Sequence, residues 1–130
     1  MILMDTSAIY ALADRADTNN AKAKEFLRKL TESEEELLVH NYIILESTAL
    51  LQRRLGARQV KAFLETSFHL SIVWVTKESH TRAVQYFLQN AGRDLSLVDC
   101  MSFVVMKENG ISKAFAFDED FEKAGFELYS

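Results

Sequence analysis

Apolar and polar positions alternate along the chain in a strand-then-helix rhythm. Ile2 to Met4 is a short apolar run, and Thr6 to Ala13 follows as a helix that Asp5 or Thr6 can cap. Asn19 to Leu30 places Ala23, Phe26, Leu27 and Leu30 on one helical face. The acidic stretch Glu32 to Glu36 reads as a solvated connection, after which Leu37-Leu38-Val39 predicts a strand and Tyr42 to Leu55 a helix ended by Gly56. Gln59 to Phe68 is helical, Ile72-Val73-Trp74-Val75 is a β-branched and aromatic strand, and Lys77 to Gln89 is helical again. Beyond the turn at Gly92, Ser96 to Glu108 predicts a buried helix closed by Gly110. Lys113 to Phe117 is then a strand, Phe121 to Ala124 a helical turn and Phe126 to Tyr129 a last strand. Such β/α alternation implies an α/β fold, with a parallel sheet covered by helices on both faces and ligands bound at the carboxyl ends of strands.

Four acids interrupt this apolar pattern. Asp5 follows the first strand and Asp118 follows Ala114-Phe115-Ala116-Phe117, so both stand at predicted strand ends. Glu46 has Tyr42, Ile43, Ala49 and Leu50 as its neighbours on a helix face. Asp99 lies in the most apolar helical stretch, Leu95 to Met106. A lone carboxylate among apolar neighbours is driven toward its neutral form unless a cation compensates, so the set reads as a metal site. All-oxygen ligands suit Mg²⁺ or Mn²⁺. Divalent ions held by carboxylates activate water and stabilise the leaving oxygen of a phosphodiester, and hydrolysis of nucleic acid is the natural use. In that scheme Asp5, Glu46 and Asp99 hold the principal ion, while Asp118 holds or orients a second ion or the attacking water. Ser7 is placed to steady Asp5, and Asp120 is a supporting acid that can equally cap the turn at Phe121.

Composition narrows the remaining choices. The 130 residues, 48% of them hydrophobic, contain no proline, four glycines and no linker-like or repeated segment, which implies a single domain over residues 1–130. No apolar run is long enough to cross a membrane and no signal-type leader is evident, so a cytoplasmic protein is expected. The one cysteine, Cys100, allows neither an internal disulfide nor a cysteine zinc cluster. A net charge of −4 opposes broad attraction to polyanions, but cations bound among the acids would reverse the local field.

The segments around these acids resemble the PIN-domain nucleases, and in particular the small VapC-type toxins of prokaryotic toxin–antitoxin pairs. The likeness is carried by Met4-Asp5-Thr6-Ser7-Ala8, by Asn41 through Glu46, by Leu95-Ser96-Leu97-Val98-Asp99-Cys100 and by Phe115 through Phe121, with Gly125-Phe126 beyond. It spans nearly the whole chain and rests on the order and intervals of short motifs. The resemblance implies a three-layer α/β/α fold with a central parallel sheet. It also implies Mg²⁺- or Mn²⁺-dependent endoribonuclease action, a homodimer and a cognate antitoxin partner. No acid of the pattern is missing.

Other residues have plainer readings. His40, His69 and His80 lack paired metal-ligand spacing, and Cys100 is expected to be a buried, unreactive thiol. Phe63, Phe68, Trp74, Phe87, Phe103, Phe115 and Phe117 fall at predicted core positions, while Tyr42 is left open. Arg53, Arg54, Arg58 and Lys61 form the densest basic cluster, to be read as a solvated rim or as a contact for RNA phosphates. Neither a Gly-rich phosphate loop nor a Ser-His-Asp ordering occurs. A haloacid-dehalogenase-like phosphatase needs a second Asp where Ser7 stands, and a receiver domain needs an acidic pair at the first strand and an Asp after a central one. An RNA-processing PIN nuclease outside a toxin–antitoxin pair and a non-catalytic PIN-like scaffold for RNA or protein remain as alternatives.

Overall fold

The computed structural model describes residues 1–130. Its elements run β1 (Ile2–Met4), α1 (Thr6–Ala13), α2 (Asn20–Glu32), β2 (Leu37–His40), α3 (Asn41–Arg54), α4 (Ala57–Ser67) and β3 (Ser71–Val73). The second half continues with α5 (Lys77–Gln89), α6 (Leu97–Glu108), β4 (Lys113–Phe115), α7 (Asp120–Lys123) and β5 (Glu127–Leu128). The five strands form one parallel sheet in the order β3-β2-β1-β4-β5, with Leu3 of β1 opposite both Leu38 and Ala114. Right-handed crossovers put α1 to α4 on one face of this sheet and α5 to α7 on the other. The expected three-layer α/β/α architecture is the one observed.

Burial explains the strand sequences. Leu3, Val39, Ala114 and Phe115 are wholly buried between the helical layers, which is why these short segments are apolar without alternation. Phe103 on α6 packs edge-on against Phe121 of α7 and stacks with Phe126, so one aromatic cluster ties the second helical layer to β5. Cys100 is buried, and burial pushes its thiol pKa up, as an inert core cysteine requires. Tyr42 has a defined place: its hydroxyl lies 2.5 Å from His80 Nδ1 and links α3 to α5.

Three of the aromatics assigned to the core are not there. Trp74 is 68% exposed, Phe68 82% and Phe87 37%. The strand expected over Ile72 to Val75 stops at Val73, because Val75 N–H donates to Asn41 Oδ1 at 2.7 Å and the chain then enters the Thr76–Ser79 capping box of α5. β3 is also an edge strand, so only one side of it is paired. Phe68 is the C-cap of α4, and Phe87 sits on the outer face of α5. Similarly, β4 ends at Phe115 rather than Phe117, since Phe117 N–H donates to Ser7 Oγ at 3.0 Å. α2 runs on to Glu32, which pairs with Arg28 one turn earlier, so the acidic connection is shorter than the composition suggests. Gly56 ends α3 with φ of +98°, a conformation costly for a residue with a Cβ.

Candidate metal centre

The chain leaves β1 at Asp5, and strand order reverses at that point: β2 and β3 lie to one side of β1, β4 and β5 to the other. A crevice opens at such a switch point, beyond the carboxyl ends of the two strands. Asp5 N–H donates to Phe115 O at 3.0 Å, which joins the ends of β1 and β4. Asp5 is 4% exposed and caps α1, with Oδ2 accepting from Ser7 N–H at 3.1 Å and from Ser7 Oγ at 2.7 Å. The same Ser7 Oγ accepts from Phe117 N–H, so Ser7 bridges the loop after β4 to the Asp5 carboxylate.

Glu46 projects from the second turn of α3, and Asp5, Glu46 and Asp118 line one open depression of about 520 Å³ together with Thr6, Ser7 and Arg53. Asp99 reaches the same region from the first turn of α6. It belongs to a capping box in which Ser96 N–H donates to Asp99 Oδ2 at 3.1 Å and Asp99 N–H donates to Ser96 Oγ at 3.0 Å. Asp118 accepts from Asp120 N–H at 2.9 Å, so the acid at the start of α7 that satisfies a backbone donor is Asp118 rather than Asp120. Carboxylate oxygens of Asp99, Asp118 and Asp120 lie within 4.8 Å of one another, close enough to share a cation after small side-chain movement.

The charges of this group are uncompensated by any ion pair. Burial pushes the Asp5 carboxyl above its usual range against the pull of the Ser7 hydrogen bonds, and Glu46 and Asp118 add to the rise. Burial raises Asp99 to about 6, and repulsion from Asp5 and Asp118 adds to the effect. Glu46 is raised by burial and by Asp99, with the Thr6 hydroxyl opposing. Asp120 is raised by burial and by its neighbour Asp118. A cluster of hard oxygen donors with its acids held toward neutrality fits a divalent cation such as Mg²⁺ or Mn²⁺, which would return these groups to their charged forms.

Sequence reasoning missed Thr6, whose hydroxyl accepts from Ser47 Oγ at 3.0 Å while facing Glu46, and Ser96, which orients Asp99. The Ser96-x-x-Asp99 spacing was a visible capping signal. Within the basic cluster, Arg53 lines the acidic depression, whereas Arg54 lies over the Tyr10 ring at 5.4 Å from its centroid. Arg58 and Lys61 are exposed on α4. His40 is fully buried and holds a structural position, with Nδ1 accepting from Ile43 N–H at 3.2 Å at the start of α3 and Nε2 lying 2.9 Å from Ser102 Oγ.

The PIN domain profile matches residues 2–127. The chain is 34% identical, over 128 residues, to the 23S rRNA-specific endonuclease VapC20 of Mycobacterium tuberculosis in two strains, covering 97% of this chain and 95% of that protein. The crystal structure of M. tuberculosis VapC20, described as a Sarcin-Ricin loop cleaving toxin, superposes with a TM-score of 0.85 at 32% identity, covering 97% of this chain and 96% of that one. FitAcB from Neisseria gonorrhoeae superposes with a TM-score of 0.67 at 14% identity, a likeness of fold alone.

Proposed function

The chain belongs to the PIN-domain family, and from that premise we propose that it is a Mg²⁺- or Mn²⁺-dependent endoribonuclease, the toxin of a type II toxin–antitoxin pair, with structured ribosomal RNA as its substrate. The observation that carries this reading is the convergence of Asp5, Glu46, Asp99 and Asp118 at the sheet's switch point with no basic side chain paired to them. The 34% identity to VapC20 across almost the full length supports the choice of substrate class.

In this reading Asp5, Glu46 and Asp99 hold the principal cation, and Asp118 with Asp120 holds a second ion or positions water. A bound divalent cation lowers the pKa of water and offsets charge on the phosphate. The chain's own residues supply the geometry. Ser7 pins the Asp5 carboxylate to the loop after β4, and the Ser96 capping box leaves Asp99 Oδ1 free to face the cluster. Asp120 N–H holds one oxygen of Asp118 and so sets the direction of the other. Arg53, on the wall of the same depression, is placed to meet a phosphate oxygen of the bound strand.

Purified protein should cleave 23S rRNA within ribosomes when Mn²⁺ is supplied and leave it intact in chelator, with cut sites read by primer extension. Cleavage that proceeds equally in chelator would reject the metal-dependent mechanism, and RNA binding without cleavage under any cation would favour the scaffold. A cognate antitoxin is the proposed partner in the cytoplasm, where the rRNA resides. No helix of the protein is long and apolar enough to cross a membrane.

The chain also acts as a homodimer in this proposal. Leu45 on α3 is 71% exposed, and Phe68 at the end of α4 is more exposed still, which leaves apolar surface that a second copy can cover. Sedimentation equilibrium at micromolar concentration should return twice the monomer mass, and Leu45→Arg should shift the population toward monomer. A monomer throughout the wild-type concentration series would count against the dimer.

A further inference from the structure

Beyond Asp120 the acidic centre opens into a second cavity of about 470 Å³, whose lining includes Tyr86 of α5, Phe103 of α6 and two cations, Arg93 and Lys123 of α7, set against two acids, Asp94 and Asp120. Asp120 belongs to both places: its carboxylate oxygen lies within 4.8 Å of those of Asp99 and Asp118, and it forms part of this cavity's wall. Two cations line this cavity. Arg93 makes no ion pair and no side-chain hydrogen bond, although it stands in a cavity beside a cluster of carboxylates. Lys123 reaches the cavity from α7 while paired only with Glu119 at 3.1 Å, an exposed contact easily exchanged. The opposite wall is aromatic and rigid. Tyr86 meets Phe103 edge-on at 5.9 Å between centroids, and Phe103 is held in turn by Phe121 and Phe126. The Tyr86 hydroxyl has no partner within the protein. An adjoining depression continues along α5 and α6 past Tyr86 and Phe103 to Lys107.

We propose that this cavity is a nucleotide subsite of the RNA path, in which Arg93 and Lys123 bind the phosphate next to the scissile one and the Tyr86 wall receives the base. The inference rests on the nuclease reading above for the position of the scissile phosphate, but the site itself is built from residues outside that metal centre. A strand crossing a metal centre needs cationic contacts on both sides of it. Arg53 supplies one side and Arg93 with Lys123 the other. A phosphate beside unpaired Arg93 gains a bidentate, charge-assisted contact that the free protein leaves unmade. An aromatic wall with a free hydroxyl suits a base splayed out of its stack, the form in which structured RNA is read. The strand therefore leaves the centre along α5 and α6, and not across the exposed Arg58 and Lys61 on α4.

The test measures binding of a labelled single-stranded oligoribonucleotide in chelator across a KCl series, together with KM and kcat for cleavage in Mn²⁺. Arg93→Gln and Lys123→Gln should each weaken binding about three- to tenfold at low salt and reduce the salt slope by about one, as loss of one phosphate contact does. In cleavage, KM should rise by a similar factor with kcat nearly unchanged. Arg93→Lys should recover part of the loss, and Tyr86→Phe should separate the hydroxyl from the ring. Lys24→Gln, which removes the same charge from α2 on the other face of the sheet, should bind as wild type. Unchanged binding and KM in both Arg93→Gln and Lys123→Gln would overturn the subsite while leaving the nuclease reading intact. An equal loss in Lys24→Gln would also overturn it, by showing a bulk charge effect. If instead the wild type never cleaves RNA but the two variants lose binding and salt slope as stated, the nuclease reading fails and the subsite stands.

Discussion

Asp5→Asn and Asp99→Asn should each lower the proposed cation-dependent RNA cleavage by on the order of 10²- to 10³-fold, and neither substitution should unfold the protein. Asparagine keeps the volume and the hydrogen-bonding role of each side chain. Asp5→Asn can still accept from Ser7 and cap α1, and Asp99→Asn can still close the capping box with Ser96. What each loses is a negative charge at the proposed ion. The metal-free protein should respond in the opposite direction in stability. Asp99 is raised from 3.8 to about 6, so the folded state holds its proton more tightly than the unfolded chain. Its contribution to stability is complete below about pH 4 and is lost as pH rises through about 6. Asp99→Asn removes that loss and should stabilise the metal-free protein at pH 7.5 by on the order of 1–2 kcal/mol, the full shift being reduced by solvent around a half-buried group. Urea denaturation in chelator at pH 4.5 and 7.5 checks this, beside the cleavage assay in Mn²⁺. Near-wild-type cleavage by both variants would remove Asp5 and Asp99 from the metal-binding role.

Acid unfolding driven by His40 is the second large effect. His40 is 0% exposed, and burial lowers its pKa from 6.5 to about 3. Its neutral ring accepts from Ile43 N–H at Nδ1, so the proton resides on Nε2 and points to Ser102 Oγ. Protonation would place a charge in the core and remove the cap of α3. The unfolded chain takes up that proton first, so the stability His40 provides is present above pH 6.5 and drains away as pH falls toward 3. This slope opposes that of Asp99 where their windows overlap, from about pH 6 to 4, and His40 prevails below about pH 4, where Asp99 is protonated in both states. A depression of this size corresponds to about 3–5 kcal/mol over the window, a large part of a small domain's stability. Metal-free protein should therefore lose net stability as pH falls from about 4 toward 3. His40→Asn retains a capping oxygen and should cost about 1–3 kcal/mol at pH 7.5 through lost packing, yet flatten the acid limb. An unchanged slope in the variant would show that another group controls the acid transition.

The parts of the protein that were legible in the sequence are those written in local periodicity. Apolar runs of three or four residues between amphipathic helices marked β1, β2 and β4, and the strand–helix alternation was enough to require a parallel sheet. Asp5 and Asp118 stood out because an acid directly after a buried run is a local anomaly, and Glu46 and Asp99 because their helical neighbours are apolar. Trp74, Phe68 and Phe87 misled for the same reason. Aromatic residues in apolar patterns read as core, but whether a neighbour exists to cover them depends on β3 being an edge strand and on which faces of α4 and α5 meet the sheet. Burial is a property of the packed molecule.

By itself the sequence determined the α/β class, the approximate elements and the four acids out of place, because propensity, periodicity and desolvation cost act within a few residues of each position. Only the tertiary structure decided that β4 lies beside β1, and with it the switch point that joins Asp5 to Asp118 across more than a hundred residues. It also decided that the Asp120 carboxylate lies beside those of Asp99 and Asp118, that His40 caps α3 from within the core, and that Arg93 stands unpaired beside the centre. These relations join residues distant in sequence. Their energies exist only once strand order and helix packing bring the groups within hydrogen-bond or Coulomb range.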